Sequence, residues 1–293
     1  KYQMKESTLK FLKCSKCNKT IDLEIYENKT EIIEGILRCD KCELIFPIID
    51  KIPIMFIDFK KYISEHKILS GKLYRLASNK EMKKILKSIF SDIVWDNNDK
   101  SSIEERWTQI YQNNKNNKFY KTIKSELKNI PKSKLVLEYG CSVGIISNHM
   151  SNLSEKVFGI DKSFSAIQYA NKIQNDNTDY IVSDFVSNPF KNMKFDLIIG
   201  LNILELMEPN ILLKIISKQI SNGYVIISDP YDYERGINSV KNPMNEEILR
   251  KKLTELKFQI TNNTNQPSFI PWNLQLYDRA SLDYKVDIVI AKK

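Results

Sequence analysis

Three groups of residues have the types and spacing that chemistry needs. Cysteine supplies the first. Cys14 and Cys17 form one C-x2-C pair, and Cys39 and Cys42 form a second, with 21 residues between them. A pair at this spacing presents both sulfurs from one turn, and two pairs complete a tetrahedral Zn²⁺ site. Four thiolates leave no open coordination position, so the metal is expected to be structural. The alternative, buried or disulfide-linked cysteines, suits an oxidising compartment. The opening KYQMKESTLK is charged and lacks the apolar run of a secretory signal.

The second group is carboxylates and glycines after short apolar runs. LVLEYG leads into E-Y-G-C-S-V-G, with Glu138, Gly140 and Gly144. Glycines there let the backbone approach a ligand closely. Asp161 ends VFGID about 20 residues on, where a carboxylate can hold two ribose hydroxyls. Asp184 ends the next run, and Phe185 beside it suits an adenine ring. Such a set, with few phosphate-binding features, fits a ligand with ribose and adenine but no pyrophosphate. That describes S-adenosylmethionine better than NAD. The competing reading, an Asp that only caps the next helix, is stronger for any single residue than for the set.

The third group is DPYDYER (229–235). Asp229, Tyr231, Asp232, Tyr233 and Glu234 mix carboxylates with aromatic faces. This mixture attracts a cationic or amine-bearing ligand, although a polar surface loop with one helix cap has the same composition. Asn202 follows an earlier apolar run, at the substrate-facing edge. Asp229, Tyr231, Asp232 and Asn202 are therefore the candidate catalytic residues. The two histidines, His66 and His149, are expected to be structural.

These groups need elements to position them. From residue 135, apolar strands (135–140, 156–161, 179–184, 195–202, 224–230) alternate with helices (142–153, 163–173, 211–220, 245–256). That alternation predicts an α/β fold with a mostly parallel sheet covered on both faces. Ligands in such sheets bind beyond the carboxyl ends of the strands. KFQITN and YKVDIVIAKK suggest a final antiparallel pair. Residues 267–279 between them are expected to be a loop, with Trp272 and Tyr277 either closing a pocket or packing in the core. Residues 61–134 repeat apolar residues at helical spacing: Ile68, Leu69, Leu73, Leu76; then Met82, Leu86, Phe90; then Ile103, Trp107, Ile110; then Phe119, Tyr120, Ile123, Leu127. Ser101 with Glu104, or Ser102 with Glu105, has the spacing of a capping box. Tyr111, Phe119 and Tyr120 either pack in the core or roof a ligand pocket. Each cysteine pair precedes a β-type run, IDLEIY (21–26) and LIFPII (44–49), which makes a small β zinc ribbon. The expected organisation is a ribbon over 1–60, a helical connecting segment over 61–134, and a cofactor-binding domain over 135–293.

The segment RCDKCELIFPIIDKIPIMF (38–56) resembles the small zinc-ribbon activator subunits of archaeal and eukaryotic RNA and protein methyltransferases. Phe46, Pro47, Ile48, Asp50, Ile52, Pro53 and Met55 carry the likeness, with Lys51 where a Gly is usual. It covers about residues 11–58 and implies a module that docks on a methyltransferase. Residues 135–229 resemble the Rossmann-type, class I S-adenosylmethionine-dependent methyltransferases. The resemblance implies that Glu138, Gly140 and Gly144 line the methionine moiety, that Asp161 meets the ribose, and that Asp184 and Phe185 meet the adenine, with Cys141 and Lys162 also expected to bind the cofactor. Asn202 then lies near both cofactor and substrate, outside any N-P-P-Y sequence of the kind that cradles an exocyclic base nitrogen. Ser142 stands where a middle glycine is common. GCSVG with GIDKSFSAIQYA is also similar, over a shorter stretch, to the methyltransferase part of ovothiol-forming enzymes.

Composition bounds the rest. A chain of 293 residues with 42% hydrophobic and 28% charged side chains can bury a core without disulfides. No run approaches the roughly 18 apolar residues of a membrane span. The expectation is a soluble, cytoplasmic protein. The net charge of +9 is uneven: residues 61–134 hold 17 basic and 8 acidic side chains, and residues 135–293 hold 17 and 18. Two readings of the substrate follow. A neutral catalytic half with an acidic, aromatic loop suits a small-molecule acceptor, an amine or an imidazole nitrogen. The alternative is a ribosomal or transfer RNA base methyltransferase that recognises its substrate with the ribbon and the basic helical segment. A non-catalytic scaffold is a third reading, opposed by the intact Asp161 and Asp184. No protein partner can be named.

Overall fold

The computed structural model describes residues 6–29, 31–190, 192–236 and 240–293. A short α1 (Glu6–Leu9) precedes four antiparallel strands: β1 (Asp22–Asn28), β2 (Ile32–Cys39), β3 (Leu44–Ile49) and β4 (Ile52–Pro53), paired in that order. Asp50 and Lys51 form the two-residue turn between β3 and β4, both with positive φ (51° and 68°). Positive φ at both centres is the type I′ hairpin habit. Lys51 therefore adopts the conformation for which glycine is favoured, and its ammonium pairs with the buried Glu31 at 3.3 Å.

Helices follow: α2 (Phe59–Ser64), α3 (Lys67–Leu76), α4 (Lys80–Ser91), α5 (Ser101–Asn113) and α6 (Lys118–Lys128). Their buried residues follow the 3–4 spacing, with Leu69 and Leu73 on α3, Met82 and Leu86 on α4, and Phe119, Ile123 and Leu127 on α6. Ile68 and Ile103 depart from it and face solvent. The capping box is also absent. Ser101 donates its N–H to Asp99 Oδ1 (2.8 Å) and its Oγ accepts from Leu69 N (3.1 Å), while Glu104 turns to His66. Asp99, two residues ahead, thus takes the amide that a capping-box glutamate would accept from.

The cofactor-binding pattern then appears as β5 (Leu135–Tyr139), α7 (Ile145–Met150), β6 (Lys156–Asp161), α8 (Phe164–Ile173), β7 (Thr178–Val182), β8 (Leu197–Leu201), α9 (Pro209–Gln219), β9 (Tyr224–Asp229), α10 (Glu246–Glu255), β10 (Gln259–Ile260), β11 (Ile270–Tyr277) and β12 (Ala280–Lys292). The strand order is β10-β12-β9-β8-β5-β6-β7, with β11 paired to β12 alone. β5–β8 and β8–β9 are parallel, and β12 runs antiparallel to β9. The middle strands β5, β8 and β9 are buried almost throughout, as a sheet covered on both faces requires. Residues 267–279 are not a loop. Trp272 and Leu274 alternate with exposed Asn273 and Gln275, the mark of a strand with one buried face. Pro271 masked it in the sequence, since proline is tolerated in edge strands and not in central ones.

Contacts gather the chain into two compact units. One comprises Lys1–Gln109, Ser142–Gly144 and Ile160–Lys191; the other comprises Ile110–Cys141, Ile145–Gly159 and Asn192–Lys293. Within the first, the ribbon adds its edge to β7. Ile54 bridges Val182 in parallel, Met55 N donates to Val182 O (2.8 Å), and Ser183 Oγ donates to Met55 O (2.8 Å). Thr8 Oγ1 donates to Asp179 Oδ2 at 2.7 Å nearby. Within the second, Trp272 lies against Tyr111, Phe119 and Tyr284, with ring centroids 5.4–6.5 Å apart. Trp272 and Phe119 are buried in its core, Tyr111 and Tyr284 are half-buried against them, and Tyr277 is left 55% exposed.

Candidate metal and cofactor sites

Both cysteine pairs sit on tight turns. Asn18 N donates to Cys14 O (2.8 Å) and Cys42 N donates to Cys39 O (3.2 Å). Asn18 and Glu43, each one residue past a pair, take positive φ (64° and 55°) to close the turns. All four sulfurs lie within 4.8 Å of one another, Cys17 and Cys39 at 3.5 Å. Zn–S bonds of about 2.3 Å in a tetrahedron place sulfurs roughly 3.8 Å apart, so the donor set fits that ion. The thiols favour ionisation of Cys17 and oppose that of Cys39 and Cys42. The backbone at Lys19 lowers Cys17 to about 7, while contact with Cys17 pushes Cys42 up to about 12. A dication removes the conflict by taking all four as thiolates.

In the first unit, the turn Ser142–Gly144 meets the end of β6. Ser142 has φ +48° and Gly144 φ +76°. Ser142 thus takes the left-handed conformation at the place where a glycine is common, and its N–H donates to Asp161 Oδ2 (2.8 Å). The other oxygen, Oδ1, accepts from Ser163 N (2.9 Å). Burial lifts the Asp161 carboxyl above its ordinary range against the pull of these amides; Glu104 adds to the lift and Lys162 opposes it. Ser183 N donates to Asp161 O (2.9 Å), which aligns the ends of β6 and β7. Half-buried Asp184 and Phe185 follow, and Asp184 Oδ1 accepts from Ser187 N at 2.5 Å. A Cβ added to Gly144 would lie 2.4 Å from Tyr180 Oη. This unit therefore brings Gly144, Asp161, Lys162, Asp184 and Phe185 to neighbouring strand ends.

In the second unit, Glu138 is buried at the end of β5 and accepts a short hydrogen bond from Ser147 Oγ. Gly140 has φ +66°, and a Cβ there would lie 2.6 Å from Ile203 Cγ2. Cys141 is buried. Asn202 directly follows β8 with φ +55°; its N–H donates to Ser228 O (2.7 Å) and its Oδ1 accepts from Ser228 Oγ (2.8 Å). Asp229 is 0% exposed: Oδ2 accepts from Leu204 N and Oδ1 from Tyr231 N, both at 2.8 Å. Tyr231, with φ +54°, donates its phenol to Asp287 Oδ2 at 3.0 Å. Burial and then Asp287 raise that phenol far above its usual range, so it keeps its proton. Arg250 also donates to both Asp287 oxygens, to Oδ2 at 2.6 Å and to Oδ1 at 3.0 Å. Tyr233 Oη accepts from Met244 N (2.7 Å), and Asp232 beside it is half-buried. Asp287 and Arg250 carried no sequence signal, lying in a strand and a helix with no motif around them.

The methyltransferase-domain family profile matches residues 130–278, and the Trm112p-like protein profile matches residues 5–50. No curated protein matches the chain. Among solved structures, one is a complex containing the Haloferax volcanii Trm112 methyltransferase activator. It is 13% identical, covers 66% of this chain and 96% of its own, and has a TM-score of 0.52. Magnesium protoporphyrin IX methyltransferase from Synechocystis PCC 6803, solved with bound SAM, is 17% identical over 66% of this chain and 92% of its own, with a TM-score of 0.48. N-methyltransferase NodS from Bradyrhizobium japonicum WM9, in complex with S-adenosyl-L-homocysteine, is 17% identical over 66% and 97%, with a TM-score of 0.49. The first of these likenesses supports the fold. The domain match spans just over half of the residues, and with it the chain belongs to the methyltransferase-domain family, as a class I S-adenosylmethionine-dependent enzyme that carries a Trm112-like zinc ribbon at its N-terminal side.

Proposed function

We propose that the enzyme methylates a small cationic acceptor, an amine or an imidazole nitrogen. One observation carries this reading. The segments that end β8 and β9, 197–213 and 224–235, hold Glu205, Glu208, Asp229, Asp232 and Glu234 against one cation, Arg235. A field of that sign concentrates cations and repels phosphates. S-adenosylmethionine supplies a methyl group already activated on a sulfonium, so the chain has chiefly to hold donor and acceptor in line. In this reading Asp161 and Lys162 hold the ribose, Asp184 and Phe185 the adenine, and Glu138, Gly140, Cys141 and Gly144 the methionine moiety. Asn202 and the Asp229–Asp232 turn shape the acceptor side. Asp229 acts there through the backbone it fixes, and Tyr231 and Asp232 present the aromatic and acidic surface. The organisation is a ribbon over 1–60, a helical segment over 61–134 and a catalytic domain over 135–293, with the four cysteines around one zinc.

A second reading rests on α4 and α6, where Lys84, Lys87, Lys121 and Lys128 are exposed. It makes the acceptor an RNA base. Radiolabelled S-adenosylmethionine in a desalted extract, separated afterwards into RNA, protein and small-molecule fractions, tests both. Label in the small-molecule fraction is expected; label in RNA overturns the first reading in favour of the second.

A further inference from the structure

One buried imidazole has no part in the site described so far. His66 is 3% exposed, between α2 and α3. Its Nδ1 lies 2.6 Å from Tyr62 O, a group that only accepts, so Nδ1 carries a proton. Its Nε2 lies 2.9 Å from Glu104 Oε1. A neutral ring with its proton on Nδ1 would aim a lone pair at that carboxylate. The contact therefore holds a second proton, and the pair is an imidazolium against a carboxylate. Burial works against the charged ring, but the hydrogen bond and charge of Glu104, with the Tyr62 carbonyl and Glu65, outweigh it and raise His66 above its ordinary range.

The pair adjoins the ribose-side turn. The Tyr62 ring lies 4.5 Å from that of His66, and its hydroxyl donates to Lys162 O at 2.9 Å, one residue from Asp161. Glu104 lines a small cavity with Phe164 and Ser165, the first residues of the helix that follows Asp161. Other charges around the pair are accounted for. Glu65 pairs with Lys100, Glu105 with Lys72, and Asp99 accepts from the amides of Ile68 and Ser101. Asp161 and Lys162 face it from the β6–α8 turn, and Glu104 opposes the ionisation of Asp161.

We propose that His66 is a positioning residue for the cofactor: its charge neutralises Glu104, so that Asp161 remains ionised and able to accept the ribose hydroxyls. The inference rests on reading Asp161 as the ribose acceptor.

The test is calorimetric binding of S-adenosylhomocysteine to the full chain from about pH 5 to pH 8.5. The Asp161 carboxyl is titrated in parallel by carbon NMR. Wild type, His66→Gln and Glu104→Gln are compared. With His66→Gln, Glu104 is uncompensated. Binding at about pH 5.5 is expected to weaken roughly threefold to tenfold, the scale of one charge changed at short range, and to stay near wild type at about pH 8. Glu104→Gln shifts the acid limb the opposite way and tightens binding at about pH 5.5. A histidine that only fills space would weaken binding by one factor at every pH. That result, or equal signs for the two variants, overturns the proposal. If His66→Gln does not fold, Glu104→Gln decides alone: binding at about pH 5.5 tightens or the proposal fails. An Asp161 titration that moves as expected without a matching change in affinity would sink the ribose reading and leave the electrostatic one standing; an unmoved titration sinks the proposal itself.

Discussion

Asp161 accepts two backbone amides, yet each oxygen keeps a second lone-pair site for a hydroxyl. Asp161→Ala removes both acceptors. S-adenosylhomocysteine binding is expected to weaken about 10–100-fold, on the scale of one or two hydrogen bonds to a charged group; calorimetry that finds unchanged affinity removes the assignment. Gly144 shows a different dependence. With φ +76° and Tyr180 Oη 2.4 Å from where a Cβ would stand, Gly144→Ala must displace a buried ring. A loss of about 1–3 kcal/mol is expected in urea denaturation. Gly71→Ala in α3 is the contrast, since its Cβ would meet only Arg75 Nη1 at 3.4 Å. That change should stabilise by about 0.5–1 kcal/mol. His66 adds a pH dependence. Its folded value is raised, so its contribution is complete below the unfolded value near 6.5 and is lost as pH rises through the folded one. His66→Gln should therefore cost more stability at about pH 6 than at about pH 9, and equal losses at both would remove the charged pair.

Elements hold these residues where one-dimensional pattern can reach them and where it cannot. The run 156–161 is a strand from end to end and delivers Asp161 to its carboxyl edge; apolar continuity with an acidic stop was enough to find both. The cysteine knuckles were equally plain, because metal spacing is local. β11 was hidden by Pro271, whose meaning depends on whether a strand lies at an edge, and pairing partners are not written in the strand itself. His66 and Glu104 meet across 38 residues, and Arg250 and Asp287 across 37. Neither pair has a spacing to detect. Arg250 ties α10 to β12 through Asp287, which also accepts from Tyr231 Oη and Ser268 N. Asp287→Ala leaves the guanidinium largely buried without its carboxylate, a change expected to cost about 3–5 kcal/mol. Because Tyr231 loses its acceptor too, turnover should fall further than cofactor affinity. A variant as stable as wild type in thermal unfolding would show that the network bears little of the fold.

At the scale of the whole chain, charge separates the two substrate classes. Residues 61–134 are net +9 and residues 135–293 net −1, so a polyanion and a cation would be drawn to different parts of the sequence. An RNA acceptor that engages six to ten phosphates would lose on the order of 10³–10⁵ in affinity between about 50 and 200 mM salt, through counterion release. A small cation beside half-buried Asp232 and exposed Glu234 displaces few ions, and screening of those carboxylates changes its binding only severalfold. We therefore expect KM for the acceptor to rise less than about tenfold over that range, with kcat nearly constant. Substituting Lys84, Lys87, Lys121 and Lys128 together by Gln should leave that salt curve in place. If the slope is steep and the four substitutions flatten it, the basic helices are the binding surface and the acceptor is a nucleic acid. If the slope is shallow in both proteins, those lysines serve solubility, and the acidic ends of β8 and β9 select the acceptor.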